Sequence, residues 1–171
     1  IENMTNVYKL PCVVAINRFP TDTEAELKLV EDKCKEHGVN VALCEVWGKG
    51  GKGGIKLAEE VLRLVEQPNE FSYSYETDCS IKDKINAIAT KIYGADGVEY
   101  TKNAEKQIDT LTRLGFDKFP VCIAKTQYSL SDDPTKLGRP TRFKITVKNV
   151  KVSAGAGFIV ALTGDIMTMP G

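Results

Sequence analysis

Two aromatic side chains that each follow a predicted strand are the residues best suited to bind a ligand. Phe19 comes shortly after the apolar run Cys12–Asn17, and Trp47, the only tryptophan, follows the run Val39–Val46. An aromatic face can stack on a flat heterocycle, which is worth about 1–3 kcal/mol per ring for nucleic-acid bases. A single aromatic residue is more often a core residue or a chance surface residue. The hypothesis of a ring-binding slot therefore depends on the two residues lying together.

The elements around these residues predict that they do lie together. Thr21 and Glu24 have the spacing of a capping box, which predicts a helix that begins after the first strand and ends near Gly38. A second strand and a helix over Ile55–Gln67 follow, so the pattern is that of a βαβ unit with parallel strands. Ligands of such sheets bind at the carboxyl ends of the strands. Both aromatic residues are therefore expected at one rim of the sheet.

The remaining pattern completes the predicted fold. Helices capped by Ser80 and Thr101 precede a buried strand over Pro120–Lys125, and the polar segment Thr126–Pro140 has the length of a functional or mobile loop. Three further strands are predicted, at Phe71–Tyr75, at Phe143–Val152 with a bulge near Asn149, and at Phe158–Leu162. The predicted class is α/β, a Rossmann-like three-layer domain with a mostly parallel sheet and a C-terminal β-rich extension.

Other polar residues offer weaker candidates. Asn17 and Lys125 end predicted strands and would share the rim with the aromatic pair, although a solvated strand end explains Lys125 equally well. Asp132 and Asp133 precede a proline, which favours a solvated turn over acid–base work. With His37 as the only histidine, at a predicted helix end, no catalytic triad and no metal site are expected.

Composition excludes several classes of protein. The 23 basic and 23 acidic residues balance, so no general attraction to nucleic acid is expected. No apolar run approaches the roughly 18 residues that span a bilayer, so a membrane protein is not expected either. The five cysteines form no CxxC pair and are odd in number, which favours a reducing compartment, the cytosol.

Nucleotide-binding signals are incomplete. The run Val13–Phe19 is similar to the strand that ends in Asn-Lys-x-Asp in GTP-binding proteins, but it has Arg18 in place of the lysine and lacks the aspartate. The glycine-rich run Gly50–Gly54 fits neither a P-loop nor the Rossmann fingerprint. It can present N–H groups to an anion or serve as a flexible turn, and the turn is the favoured interpretation. A GTPase-like nucleotide-binding module stays open as an alternative function.

Long motifs identify a family. The chain resembles formate–tetrahydrofolate ligase, also called formyltetrahydrofolate synthetase, along its whole length, and it is more similar to the single-function bacterial enzymes than to the trifunctional ones. The motifs that carry the resemblance are Val14–Glu24, Trp47 with its glycine-rich loop, Ile92–Gly97, Ala124–Ser129 and Ser153–Phe158 through Met167–Gly171.

The resemblance implies a function in one-carbon metabolism. Enzymes of this family use ATP, with magnesium, and formate to make formyl phosphate, and N10 of tetrahydrofolate then attacks the formyl carbon to give 10-formyltetrahydrofolate. The resemblance places the ATP chemistry in an N-terminal P-loop domain that this chain lacks. It implies that Phe19, Pro20, Leu43 and Trp47 surround the pterin ring, that no residue of this chain is catalytic and that none binds a metal.

Residues 1–171 are accordingly expected to be a single C-terminal domain, a fragment of a larger cytoplasmic ligase that is inactive alone. The expected partners are tetrahydrofolate, the missing N-terminal domain and further copies in a homo-oligomer. A non-catalytic oligomerisation domain, using the strand Phe143–Val152 as an exposed contact surface, is the other alternative.

Overall fold

A computed structural model describes residues 1–164 and 166 of the chain. These residues divide into two compact units, of which the first is Ile1–Ser72 and the second begins at Tyr73. Each unit has its own sheet and is described by itself. That residues 1–171 form a single C-terminal domain of a larger ligase stays a prediction.

The first unit alternates strands and helices, as the sequence predicts. Its elements are β1 (Val13–Asn17), α1 (Glu24–Glu36), β2 (Asn40–Cys44), α2 (Val46–Lys49) and α3 (Ile55–Val65), with a π-helical turn at Asn3–Val7 and a 3-10 turn at Gly50–Gly54. The two strands pair in parallel, with Val13 opposite Asn40 and Asn17 opposite Cys44. Parallel strands end at the same edge of a sheet, so the segments after β1 and β2 share one edge.

The start of α1 differs from the prediction by two residues. Thr23 is the N-cap residue instead of Thr21, and its hydroxyl accepts a hydrogen bond from the backbone N–H of Glu26 at 3.3 Å. The Glu26 carboxylate accepts in return from the backbone N–H of Thr23 at 2.8 Å, which completes a capping box. The helix ends as predicted, with His37 as C-cap and Gly38 at φ +67°. Thr21 and Glu24 have the same spacing, but Glu24 is already the first helical residue.

The second strand and the helix that follows also differ from the prediction. The strand ends at Cys44 instead of Val46, because Glu45 caps a short helix that contains Trp47. The apolar residues of α3 are not core residues of the first unit, since the exposed fractions of Leu62 and Val65 are 66% and 67%. The apolar spacing correctly predicts a helix here but not its burial within the described residues.

The second unit contains a four-stranded sheet within the described residues. Its elements are α4 (Ile81–Ala87) with a π-helical turn at Ile88–Ile92, β3 (Gly97–Tyr100), α5 (Lys102–Arg113), a 3-10 turn at Phe116–Lys118, β4 (Val121–Ala124), β5 (Lys144–Ser153) and β6 (Phe158–Thr163). The strand order is β3-β5-β6-β4, and only the pair β5–β6 is antiparallel.

The helix signals in this half of the sequence are confirmed. The hydroxyl of Ser80 accepts from the backbone N–H of Asp83 at 3.1 Å, and that of Thr101 accepts from Ala104 at 3.2 Å. Gly115 follows α5 in the left-handed conformation. The two helices and the sheet share a core whose buried members are Ile81, Ile85, Ala104, Ile108, Leu111, Val121, Val147, Val150, Ile159 and Ala161.

Two strand predictions need correction, and one strand was missed. Residues Phe71–Tyr75 form no strand, and the hydroxyl of Tyr75 instead accepts a hydrogen bond from the backbone of Val121 at 3.0 Å. β5 is not an exposed contact strand, because it lies between β3 and β6 and its side chains at Ile145 and Val147 are fully buried. β3 was not predicted at all. The bulge near Asn149 is confirmed by the shift in register at Val147 and Asn149.

A charged residue occupies the apolar face of α4. The side chain of Lys84 is fully buried, and its ammonium donates to the backbone carbonyls of Asp117 and, at 3.0 Å, of Phe119. Burial lowers the pKa of Lys84, which the negative charge of Asp117 partly opposes. The lysine thereby ties α4 to the turn that precedes β4.

The predicted class is confirmed: the chain is a mixed α/β protein with mostly parallel strand pairs and a strand-rich C-terminal part. Across residues 1–164 and 166, every helix is too short or too polar to span a bilayer. The end of the last sequence motif, Met167–Gly171, lies outside the described residues.

Candidate functional site

Phe19 and Trp47 meet at the edge where β1 and β2 end. Their ring centroids are 6.0 Å apart and the ring planes are inclined by 52°. Both rings face solvent, with exposed fractions of 41% for Phe19 and 67% for Trp47. The prediction that the two aromatic residues lie on one rim is therefore confirmed by their contact.

The loop after β1 is held in place by its own polar groups. The backbone N–H of Arg18 donates to the carbonyl of Cys44 at 2.9 Å, which continues the pairing with β2 past the end of β1. The backbone N–H of Phe19 donates to the carboxylate of Asp22 at 2.7 Å, and the N–H of Asp22 returns a bond to the Phe19 carbonyl at 3.1 Å. Phe19 thus has a fixed backbone although its ring is exposed.

The segment after β2 is held just as firmly. The backbone N–H of Glu45 donates to the carbonyl of Gly53 at 3.0 Å, and the N–H of Lys49 donates to the Glu45 carbonyl at 2.9 Å. Gly53 packs so closely here that an added Cβ would lie 2.4 Å from the carbonyl carbon and oxygen of Glu45 and 2.8 Å from the nitrogen of Val46. No other residue type fits this position without displacing the segment that carries Trp47.

The two loops enclose a cleft of about 190 Å³ that combines apolar and charged groups. Its lining residues are Arg18, Phe19, Pro20, Glu45, Trp47, Gly48 and Lys49. The Glu45 carboxylate accepts a hydrogen bond from Lys49 at 2.6 Å and lies 3.9 Å from the guanidinium of Arg18. Arg18 also donates to the carboxylate of Glu24 at 2.7 Å. The hydrogen bond from Lys49 and the charge of Arg18 hold the pKa of Glu45 below its usual value, so this group is ionised at neutral pH.

The structure brings some of the predicted site residues together and not others. Pro20 lines the cleft beside Phe19 and is exposed. Leu43 lies in β2 opposite Ile16 and lines a different cleft, between α1 and α3, so its place beside the ring stays a prediction. Asn17 ends β1 opposite Cys44, with an exposed side chain that is not part of the cleft lining.

Lys125 belongs to the second unit and is engaged with its own loop. Its ammonium donates to the carbonyls of Thr126, at 2.9 Å, and Ser129, and it lies 5.1 Å from the centre of the Tyr93 ring. Burial lowers the pKa of Lys125, and the charge of Asp132 opposes that shift. These contacts organise the polar segment that follows β4, and a direct role in ligand binding stays a prediction.

Sequence reasoning missed the polar half of the cleft. Arg18, Glu45 and Lys49 were not among the candidate residues, and neither was Gly53. A usable signal was present, because all four lie within a few residues of the two aromatic side chains in loops already placed at one rim. Within the described part of the chain, no group of three or more His, Cys, Asp or Glu side chains is arranged to hold a metal ion.

Comparison with known protein families identifies the family of this chain. The model of the family described as Formate–tetrahydrofolate ligase matches residues 1–171. This match covers both units, and it includes the two loops that carry the aromatic pair as well as the motifs Ile92–Gly97 and Ala124–Ser129. The chain therefore belongs to the formate–tetrahydrofolate ligase family, whose members are ligases that use formate and folate in one-carbon metabolism.

Proposed function

We propose that the cleft between Phe19 and Trp47 binds the pterin ring of tetrahydrofolate, the acceptor substrate of the ligase. The observation that supports this proposal is the pairing of two exposed aromatic rings, on separate loops, with their centroids 6.0 Å apart. Exposed apolar rings in contact with each other gain from a flat ligand that covers both faces at once.

The geometry requires a small opening of the cleft. A ring inserted between two others needs about 3.5 Å on each side, or about 7 Å between the outer centroids. From the observed 6.0 Å the rings must separate by about 1 Å and turn from 52° towards parallel. Trp47 is the more exposed of the two and lies on a four-residue helix, so it is the ring that we expect to move.

The size of the cleft agrees with a ring rather than a whole folate. Its volume of about 190 Å³ is below the roughly 300–1,000 Å³ of pockets that enclose drug-sized ligands. The pterin ring would occupy the slot, while the benzoyl-glutamate part would extend beyond it. Pro20 would add an apolar wall beside Phe19, and Leu43 is proposed to support the ring from β2.

This chain would supply binding and orientation to the reaction. We assign the activation of formate as formyl phosphate, with ATP and magnesium, to a P-loop domain outside these residues, and the transfer follows when N10 of tetrahydrofolate attacks the formyl carbon. The residues named here hold the acceptor and perform no proton or phosphoryl transfer. The chain alone is expected to be inactive. Its five cysteines are free thiols, which is consistent with a cytoplasmic location. Assembly into a homo-oligomer stays a prediction.

Trp47 provides its own test because it is the only tryptophan of residues 1–171. In the complete ligase, tetrahydrofolate stacked on the indole should quench, in a saturable way, the part of the tryptophan fluorescence that is lost in the variant Trp47→Phe. The variant Phe19→Leu keeps the fluorophore but removes the opposite ring, so it should need a higher tetrahydrofolate concentration for the same quenching. Unchanged Trp47 fluorescence at a saturating tetrahydrofolate concentration would refute the sandwich.

A further inference from the structure

The lining of the cleft carries one negative group between two positive ones. Glu45 has a side chain that is 29% exposed, and it lies between the ammonium of Lys49 and the guanidinium of Arg18. All three residues line the same cleft as the aromatic rings. A flat ligand held between the rings would therefore meet this charged group with its edge.

The carboxylate of Glu45 has acceptor capacity left over. An ionised carboxylate offers about four acceptor positions. In the structure one oxygen accepts from Lys49 at 2.6 Å, and the other is 3.9 Å from Arg18, beyond the length of a direct hydrogen bond. Two further donors from a ligand can be accommodated without breaking the Lys49 bond.

The backbone of Glu45 is fixed before any ligand arrives. Its carbonyl accepts from the N–H of Gly48 at 3.1 Å and of Lys49 at 2.9 Å, and its own N–H donates to Gly53. The carboxylate itself is held by the hydrogen bond from Lys49, so ordering it for a ligand costs less than ordering an unpaired side chain.

The edge of a pterin complements this group. Its 2-amino group and its N3–H are adjacent donors that one carboxylate accepts in a bidentate manner, and the neighbouring 4-oxo group is an acceptor for a cation. We infer that Glu45 reads the 2-amino and N3–H edge of the pterin ring and that Arg18 or Lys49 donates to its 4-oxo group, an inference that rests on the proposed function. Guanine presents the same order of two donors and one acceptor, so a guanine nucleotide is the competitor that the test has to include.

The test measures equilibrium binding of two ligands to three forms of the complete ligase, which are the unmodified enzyme, Glu45→Gln and Glu24→Gln. The ligands are tetrahydrofolate and an analogue whose 2-amino group is replaced by a methyl group. Loss of a hydrogen bond to a charged group should weaken binding of the analogue to the unmodified enzyme by about 10- to 100-fold. In Glu45→Gln this preference should fall to less than about threefold, because the amide cannot accept both donors.

Glu24→Gln is the matched control. It also removes an anionic partner of Arg18, but Glu24 is outside the cleft lining, so the preference for the 2-amino group should remain. Thermal melts establish whether each variant folds, and Glu45→Asp, which draws the carboxylate back by one methylene, replaces Glu45→Gln if the latter does not. For Glu45→Asp, too, the preference should fall.

Three results would overturn the inference: the unmodified enzyme binds both ligands equally, the folded Glu45 variants keep the full preference, or guanosine binds with a Kd that Glu45→Gln leaves unchanged. Failure of the proposed function looks different, because tetrahydrofolate would then either not bind or bind with a Kd that Trp47→Ala leaves unchanged.

Discussion

The rings of Phe19 and Trp47 are in contact across the ends of two parallel strands, at a centroid distance of 6.0 Å, although 28 positions of sequence separate them. Neither ring is buried, so their contact contributes little to the core. Because the two rings meet at one edge of the sheet, we expect them to act together in the proposed ligand binding.

Removing either ring should weaken tetrahydrofolate binding. Stacking is worth about 1–3 kcal/mol per ring, so Phe19→Ala and Trp47→Ala should each raise the Kd by roughly 5- to 150-fold. The KM for tetrahydrofolate should rise in parallel, with much less effect on the KM for ATP. The exposed aromatic residue Tyr73 supplies the control, because Tyr73→Ala should leave both constants unchanged. Equal rises in the two KM values would contradict a role confined to the folate.

Gly53 should be the least replaceable residue of the glycine-rich turn. A Cβ at this position would lie 2.4 Å from the Glu45 backbone, so Gly53→Ala should destabilise the protein by about 1–3 kcal/mol and weaken tetrahydrofolate binding. Gly51 has no atom within 4 Å of its ideal Cβ, and Gly51→Ala should leave both properties nearly unchanged. Urea denaturation measures the free energy of unfolding of the two variants, and equilibrium binding measures their affinity for tetrahydrofolate. Similar results for both would show that the turn adapts and that the close packing is unimportant.

The register of the capping box can be measured directly. Thr23→Ala removes the hydroxyl that accepts from Glu26 and should cost about 1 kcal/mol of unfolding free energy. Thr21→Ala, two residues earlier and outside the capping box, should change the unfolding free energy by less than about 0.5 kcal/mol. The comparison uses chemical denaturation of both variants under one set of conditions. A larger loss for Thr21→Ala would restore the register predicted from the sequence.

Glu60 should titrate at unusually low pH. Hydrogen bonds from Arg63 and from Asn40 lower its pKa from 4.5 to about 2. A group whose pKa is depressed in the folded state stabilises that state at pH values above its unfolded pKa, which is about 4.5 here. This contribution to stability is lost as the pH falls towards the folded pKa of about 2. An NMR titration of the Glu60 carboxyl carbon should give a midpoint near the lower value. In Arg63→Gln the midpoint should rise towards the usual range, whereas an ordinary midpoint in the unmodified protein would show that these hydrogen bonds do not persist in solution.

Much of the fold was predictable because its signals are local. A side-chain cap such as that of Ser80 or Thr101 depends on residues three positions apart, and the apolar spacing along α5 depends on one helical turn. The capping box of α1 shows the limit of such signals, since two threonine–glutamate pairs had the same spacing and only the backbone geometry chose between them.

Strand partners were harder to predict because they are set by distant segments. The alternation in Phe143–Val147 correctly indicated a strand, but nothing in it showed that β3 and β6 would cover both its edges. The alternation at Phe71–Tyr75 indicated a strand that has no partner within the described residues. A strand exists only where another segment completes its hydrogen bonds, and that information is not in the run itself.

The sequence by itself determined the family, the α/β class and the two loops that carry Phe19 and Trp47, because motifs, caps and periodicity act over short stretches of chain. Tertiary structure alone decided the distance and tilt between the two rings, the charged part of the cleft lining formed by Glu45, Arg18 and Lys49, and the close packing at Gly53. These features arise where two segments from different parts of the chain meet, and their geometry depends on how β1 and β2 pair. For the same reason the sequence indicated an aromatic slot, whereas the structure supplied the charged groups that line it.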